Sequence, residues 1–214
     1  MSLDLVVLVP DKDIEQAIVG LLERDKSIGI RPLPAARCAI IVHPQRDPGV
    51  YKTGHELLQP FADDVAHALV VFDRAWDGAP STNARVLATD VEKRCSRDWG
   101  NRARCVCIDP EIENWIWSDS PHVPVALGWS GSRELRAWLN EQKLWPRDTH
   151  KPSDPKMAFE KAAKKKKVAP SSSIFGQLAR KVGIRRCQDP TFLQLLEILR
   201  EWFPIQSAPT RAET

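Results

Sequence analysis

Residues Ala68 to Gly78 read ALVVFDRAWDG: five apolar residues run straight into two aspartates and a glycine. A short, β-branched apolar run closed by Asp and Gly reads as a strand covered on both faces, which is the pattern of a parallel sheet. Leu3 to Val9 (LDLVVLV) has the same character. Asp11 to Arg24 follows it with Ile14, Ala17, Ile18, Leu21 and Leu22 at helical spacing. Further strands are expected at Arg37–Val42, His67–Phe72 and Arg104–Ile108, with helices around His55–Asp64 and Asn83–Arg97. The order βαβαβαβ predicts an α/β, Rossmann-like, mostly parallel sheet with helices on both faces.

Beyond Trp117 the chain reads as helical: Ser132–Lys143, then, after a break at Pro146 to Pro152, Pro155–Lys166, Ser173–Val182 and Pro190–Trp202. Ser171 to Ser173 supply an N-cap. Asp189-Pro190 is a cap followed by proline at the first helical position. The expected organisation is an α/β domain over 1–142, a basic helical subdomain over 143–204 and a disordered tail over 205–214. Charge divides at the same place, because residues 1–142 carry 16 Lys+Arg against 21 Asp+Glu and residues 143–214 carry 15 against 7. The two parts should face different partners.

With 43% hydrophobic and 28% charged residues the chain has the composition of a globular protein. No apolar run approaches the roughly 18 residues of a membrane span, and Leu3–Val9 is too short for a signal-peptide core. The expectation is a cytoplasmic protein with no membrane partner. Five cysteines, an odd number, argue against a disulfide framework. Cys105 and Cys107 point to the same face of their strand and read as core thiols rather than zinc ligands.

In an open parallel sheet, ligands bind beyond the carboxyl ends of the strands. Asp11 and Asp13 follow the first strand, Asp73 and Asp77 the third, and Asp109, Glu111 and Glu113 the fourth. Such carboxylates suit a hard divalent cation used in phosphate chemistry. Asp also caps helices and closes turns, and Asp109-Pro110-Glu111 is itself a helix start. Glu113 is flanked by Ile112, Trp115 and Ile116, so its carboxylate needs a cation or a hydrogen-bonding partner. The polar segment from His43 to Glu56 reads as a loop, in which Arg46, Tyr51, Lys52 and His55 are candidates for phosphate binding or general-base work. Of the eight tryptophans, Trp76 in the acidic loop is the candidate for stacking on a ligand, and Trp115, Trp138 and Trp202 read as core.

The segments VVFDRAWDG, IDPEIENWIWSD, KPSDPKMAFEKA and FLQLLEILREWF together resemble a Toprim-like family of the bacterial methylation-associated antiphage defence system, over essentially the whole chain. The resemblance implies a Rossmann-like fold and a Mg²⁺ site for phosphodiester chemistry, with Mn²⁺ as substitute. The superfamily places a glutamate after its first strand and an Asp-x-Asp after a later one. The later motif falls on Asp73, with Ala75 where the second acid belongs, and Pro10 stands in the place of the glutamate. Glu113 matches the family's glutamate before a tryptophan. The implied catalytic residues are Asp73, Asp77 and Glu113, and the metal-site candidates are Asp11, Asp73, Asp77, Asp109, Glu111 and Glu113.

Lys164, Lys165, Lys166, Lys167, Arg180, Lys181, Arg185 and Arg186 form a dense positive set, suited to nonspecific contact with nucleic acid or to a solvated surface. Three functions fit: a nuclease of a defence system; a catalytically inactive Toprim-like scaffold or nucleic-acid-binding subunit of a multiprotein defence complex; and a small-nucleotide sensor. Other defence-system proteins are the expected partners.

Overall fold

The computed structural model describes residues 3–205. Four strands, β1 (Leu3–Val9), β2 (Cys38–Val42), β3 (Val65–Asp73) and β4 (Ala103–Ile108), form an all-parallel sheet in the order β2-β1-β3-β4. β1 and β3 are central, and their apolar stretches Leu5–Val9 and Ala68–Phe72 are buried, as expected of strands covered on both faces. The expected strands are all present, with ends within about two residues of the expected ones.

Alternation along each strand sends side chains to two separate cores. Val6, Leu8, Val70 and Phe72 face α3 (Arg46–Leu58) and α4 (Ala84–Trp99). Leu5, Val7, Leu69, Val71 and Val106 face the other side, against α1 (Lys12–Leu22) and the C-terminal helices α8 (Pro155–Lys165), α9 (Ser172–Lys181) and α10 (Pro190–Trp202). Helices therefore cover both faces. The apolar core runs across residue 142: Ile14 and Ile18 share a cluster with Leu178, Leu195 and Leu199, and the C-terminal helices form one layer of the α/β sandwich. Between the two parts lie α5 (Glu113–Ile116), α6 (His122–Ala126) and α7 (Ser132–Glu141), and the short α2 (Asp25–Ile28) follows α1. No described helix is long and apolar enough to cross a membrane. Of the five free cysteines, Cys95, Cys105, Cys107 and Cys187 are buried and Cys38 half-buried. The tail expected to be disordered falls, from residue 206 on, outside the described residues.

Two local expectations are corrected. The segment from His43 to Glu56 is not a loop: α3 begins at Arg46. Val50, Gly54 and Leu58 make a helical stripe against the sheet, and at Gly54 an added Cβ would stand 2.7 Å from the Leu8 side chain. The glycine is what lets the helix approach that closely. Pro110 does not open a helix either. The N–H groups of Arg74 and Ala75 both donate to the Pro110 carbonyl (3.1 Å each), which holds a bend at 109–110 against the end of β3, so that α5 begins only at Glu113.

Candidate functional site

The chain steps from β1 outward to β2 in one direction and to β3 in the other. The gap beyond the carboxyl ends of β1 and β3 is therefore the topological switch point, where open α/β sheets bind ligands. Leu8 lies opposite Val70 in the β1–β3 register, and continuing that register sets Asp11 level with Asp73. A cleft of about 730 Å³ opens there, lined by Asp11, Asp13, Asp73 and Glu113 at one end and by Lys164, Lys167 and the first residues of α9 at the other, with Arg46 and Lys156 also in its wall.

Each acid reaches the cleft for a local reason. Asp11 is the N-cap of α1, its Oδ1 accepting from the N–H groups of Asp13 (3.0 Å) and Ile14 (3.1 Å). Asp13 follows in the first turn. Asp73 is the last residue of β3, and its N–H donates to Oδ1 of Asp47, on α3, at 2.8 Å. The Asp73 Oδ1 atom is sealed from solvent and accepts no hydrogen bond. Glu113 opens α5 and is only 7% exposed.

These carboxyls disturb one another. Asp73 is held well above the usual carboxylate range by burial and then by the charges of Asp47, Glu113, Asp11 and Glu111. Asp47 is raised by burial, partly offset by the Asp73 N–H bond. Asp13 is raised by burial and by neighbouring Asp11. Glu113 is pushed up, chiefly by burial, to about 7. Strongly shifted acids gathered in a cleft make that cleft the candidate functional site.

The other expected acids lie elsewhere. Asp77 is exposed and stands outside the cleft: Trp76 packs between Tyr51 (5.7 Å between ring centroids) and Phe72 (5.6 Å), folding the loop toward the α3/α4 side. Trp76 is thereby half-buried against the core rather than a stacking platform. Asp109 is paired with Arg74 at 2.5 Å and lines a different groove, along β4 between α4 and α10. Glu111 is paired with Lys156 at 2.5 Å. Among the described residues no three His, Cys, Asp or Glu side chains form a ready-made metal cage.

Sequence reasoning missed Asp47 and Lys156. Asp47 was hidden by the reading of its segment as loop. Lys156 had one local signal, its place just after Asp154-Pro155 at a helix start. Of the segment from His43 to His55, Arg46 does line the cleft, whereas Tyr51 is core, its hydroxyl donating to Asp90 (3.1 Å). The positive set divides as well. Lys164 and Lys167 face the cleft, and Lys165, Lys181 and Arg185 are exposed. Lys166 pairs with Glu134 (2.8 Å), Arg180 with Glu23 (2.5 Å), and Arg186 donates to the Asp119 carbonyl.

Compared with protein-family models, with curated proteins and with solved structures, the chain matches none.

Proposed function

We propose that this protein is a Toprim-like component of bacterial antiphage defence that hydrolyses phosphodiester bonds of nucleic acid with the help of Mg²⁺ or Mn²⁺. The observation that carries this reading is the solvent-sealed, unpartnered Asp73 Oδ1 at the topological switch point, beside the buried Glu113. A buried carboxyl oxygen with no hydrogen bond, set beside a second buried carboxyl, is a costly arrangement that the single charge of Lys156 offsets only in part, and a divalent cation relieves it further. Mg²⁺ commonly takes only one or two protein carboxylates and keeps its remaining positions for water and phosphate, so Asp73 and Glu113 suffice without a cage of three. When bound, such a cation stabilises charge developing on a phosphoryl group.

The chain's own residues do the rest. Lys164 and Lys167, at the other end of the same cleft, bind the anionic backbone of the substrate. Asp47 holds the Asp73 main chain, and the Asp11 cap fixes the start of α1 beside it. Glu113, pushed up to about 7 by burial, must give up its proton before it can hold a cation, so cation binding at this site tightens as pH rises through neutrality.

A second reading, the inactive scaffold or nucleic-acid-binding subunit of a defence complex, is favoured by Pro10 and Ala75 standing where the Toprim pattern has acids. Calorimetric titration of Mg²⁺ and Mn²⁺ into the wild type, Asp73→Asn and Glu113→Gln, together with cleavage assays on DNA and RNA, separates the two. The enzyme reading expects binding that both substitutions weaken at least about tenfold, and cleavage lost with it. A wild type that binds neither ion and leaves every nucleic acid intact overturns it in favour of the scaffold.

A further inference from the structure

Lys156 enters the acidic end of the cleft from an element separate from those that carry the acids. It is the second residue of α8, which Asp154 caps by accepting from the Met157 N–H at 2.8 Å, and α8 packs on α5, the helix that Glu113 opens. The Lys156 ammonium lies 2.5 Å from Glu111 Oε1 and lines the cleft together with Asp13, Asp73 and Glu113. Its charge reaches acids from every contributing segment: Asp13 on α1, Asp47 on α3, Asp73 on β3 and Glu113 on α5.

A lysine is poorly suited to this place for the helix's own sake. The first turn of a helix carries the positive end of the dipole and favours acidic side chains. The attraction that holds Lys156 there comes from the carboxylates. Desolvation pulls its pKa down, and the bond to Glu111 together with the charges of Glu111, Glu113 and Asp73 more than reverses this. The side chain remains 46% exposed on a flexible four-carbon stem, so it is free to swing outward. Meanwhile the sealed Asp73 Oδ1 has no donor of its own, and the Glu113 carboxyl beside it is buried.

We propose that Lys156 is a built-in counter-cation of this carboxylate cluster, one that a divalent ion must displace, so that Lys156 sets the cation affinity of the site. The inference rests on the cation site proposed above. It makes the metal-free protein tolerable, since a tethered +1 charge partly neutralises acids that would otherwise repel. It also raises the cation concentration at which the site fills, without changing the shape of the binding curve.

The test is titration of Mn²⁺ alone into the wild type and into Lys156→Met, Lys156→Gln and Lys156→Arg, followed by calorimetry. Removing one positive charge beside a divalent ion in a half-buried setting should tighten Mn²⁺ binding by about tenfold or more in the Met and Gln variants. The Arg variant, which keeps the charge, should bind like the wild type. Unchanged or weakened binding in both neutral variants, or equal tightening in the Arg variant, overturns the inference and leaves the cation site standing. Absence of Mn²⁺ binding in every protein overturns both.

Discussion

Glu113 is the residue at which burial and chemistry conflict most directly. A carboxyl raised from 4.5 to about 7 keeps its proton in the folded chain over a range where the unfolded chain has lost it. The unfolded state then binds fewer protons, so stability falls as pH rises from about 4.5 through about 7 and is lowest above it. The shift corresponds to roughly 3 kcal/mol. Glu113→Gln should therefore be close to wild type in stability at pH 4.5 and about 2–3 kcal/mol more stable at pH 8, measured by urea denaturation without divalent ions. Equal stability of the two proteins at pH 8 would show that the carboxylate is not strained. Asp73, Asp11 and Glu113 were legible from sequence because strand ends in a parallel sheet are where acids meet ligands. Asp77 follows the same rule and fails it, because the aromatic contacts of Trp76 decide which way its loop turns, and no sequence period records that.

At the scale of elements, the crossing of α1 and α9 attaches the basic part of the chain to the sheet. An added Cβ at Gly20 would stand 2.7 Å from the Gly176 carbonyl oxygen and 3.0 Å from the Ala179 Cβ. One at Gly176 would meet the Gln16 carbonyl at 3.3 Å. Backbone cannot yield as a side-chain tip does, so Gly20→Ala should separate the two helices. Overpacking against backbone costs toward the upper end of about 1–3 kcal/mol and better helix propensity returns about 1, which leaves a net loss of up to about 2 kcal/mol. Gly131→Ala, with nothing within 4 Å of the added atom, should stay within about 0.5 kcal/mol. Denaturant midpoints of the two variants make the comparison, and an unaffected Gly20→Ala would mean that the helices do not cross this closely. The helices themselves were readable from their caps: Asp189 accepts from the Thr191 and Phe192 N–H groups as expected of a cap, and Ser171 from Ser173. The start of α3 was not, since Pro48, Gly49 and Gly54 carry turn signals that packing against β1 and β3 overrides.

For the whole molecule, folding brings an acidic and a basic part together, and the cleft is where the two charges face each other. The basic residues are consequently not equivalent. Lys166 and Arg180 are already committed to Glu134 and Glu23, whereas Lys164 and Lys167 face open cleft. A phosphate backbone bound at this site replaces small cations at the unpaired lysines first, because a paired lysine has less charge to offer. In anisotropy titrations of a single-stranded oligonucleotide over a range of salt, the double variant Lys164→Ala/Lys167→Ala should bind about tenfold more weakly. Its log–log salt slope should be shallower by about 1.4, the value for two lost contacts to a single strand. Lys166→Ala should leave the slope nearly unchanged. The reverse pattern, a shallower slope in Lys166→Ala and none in the double variant, would place any nucleic acid on the outer face of α8 and away from the carboxylates, which would separate binding from the proposed chemistry.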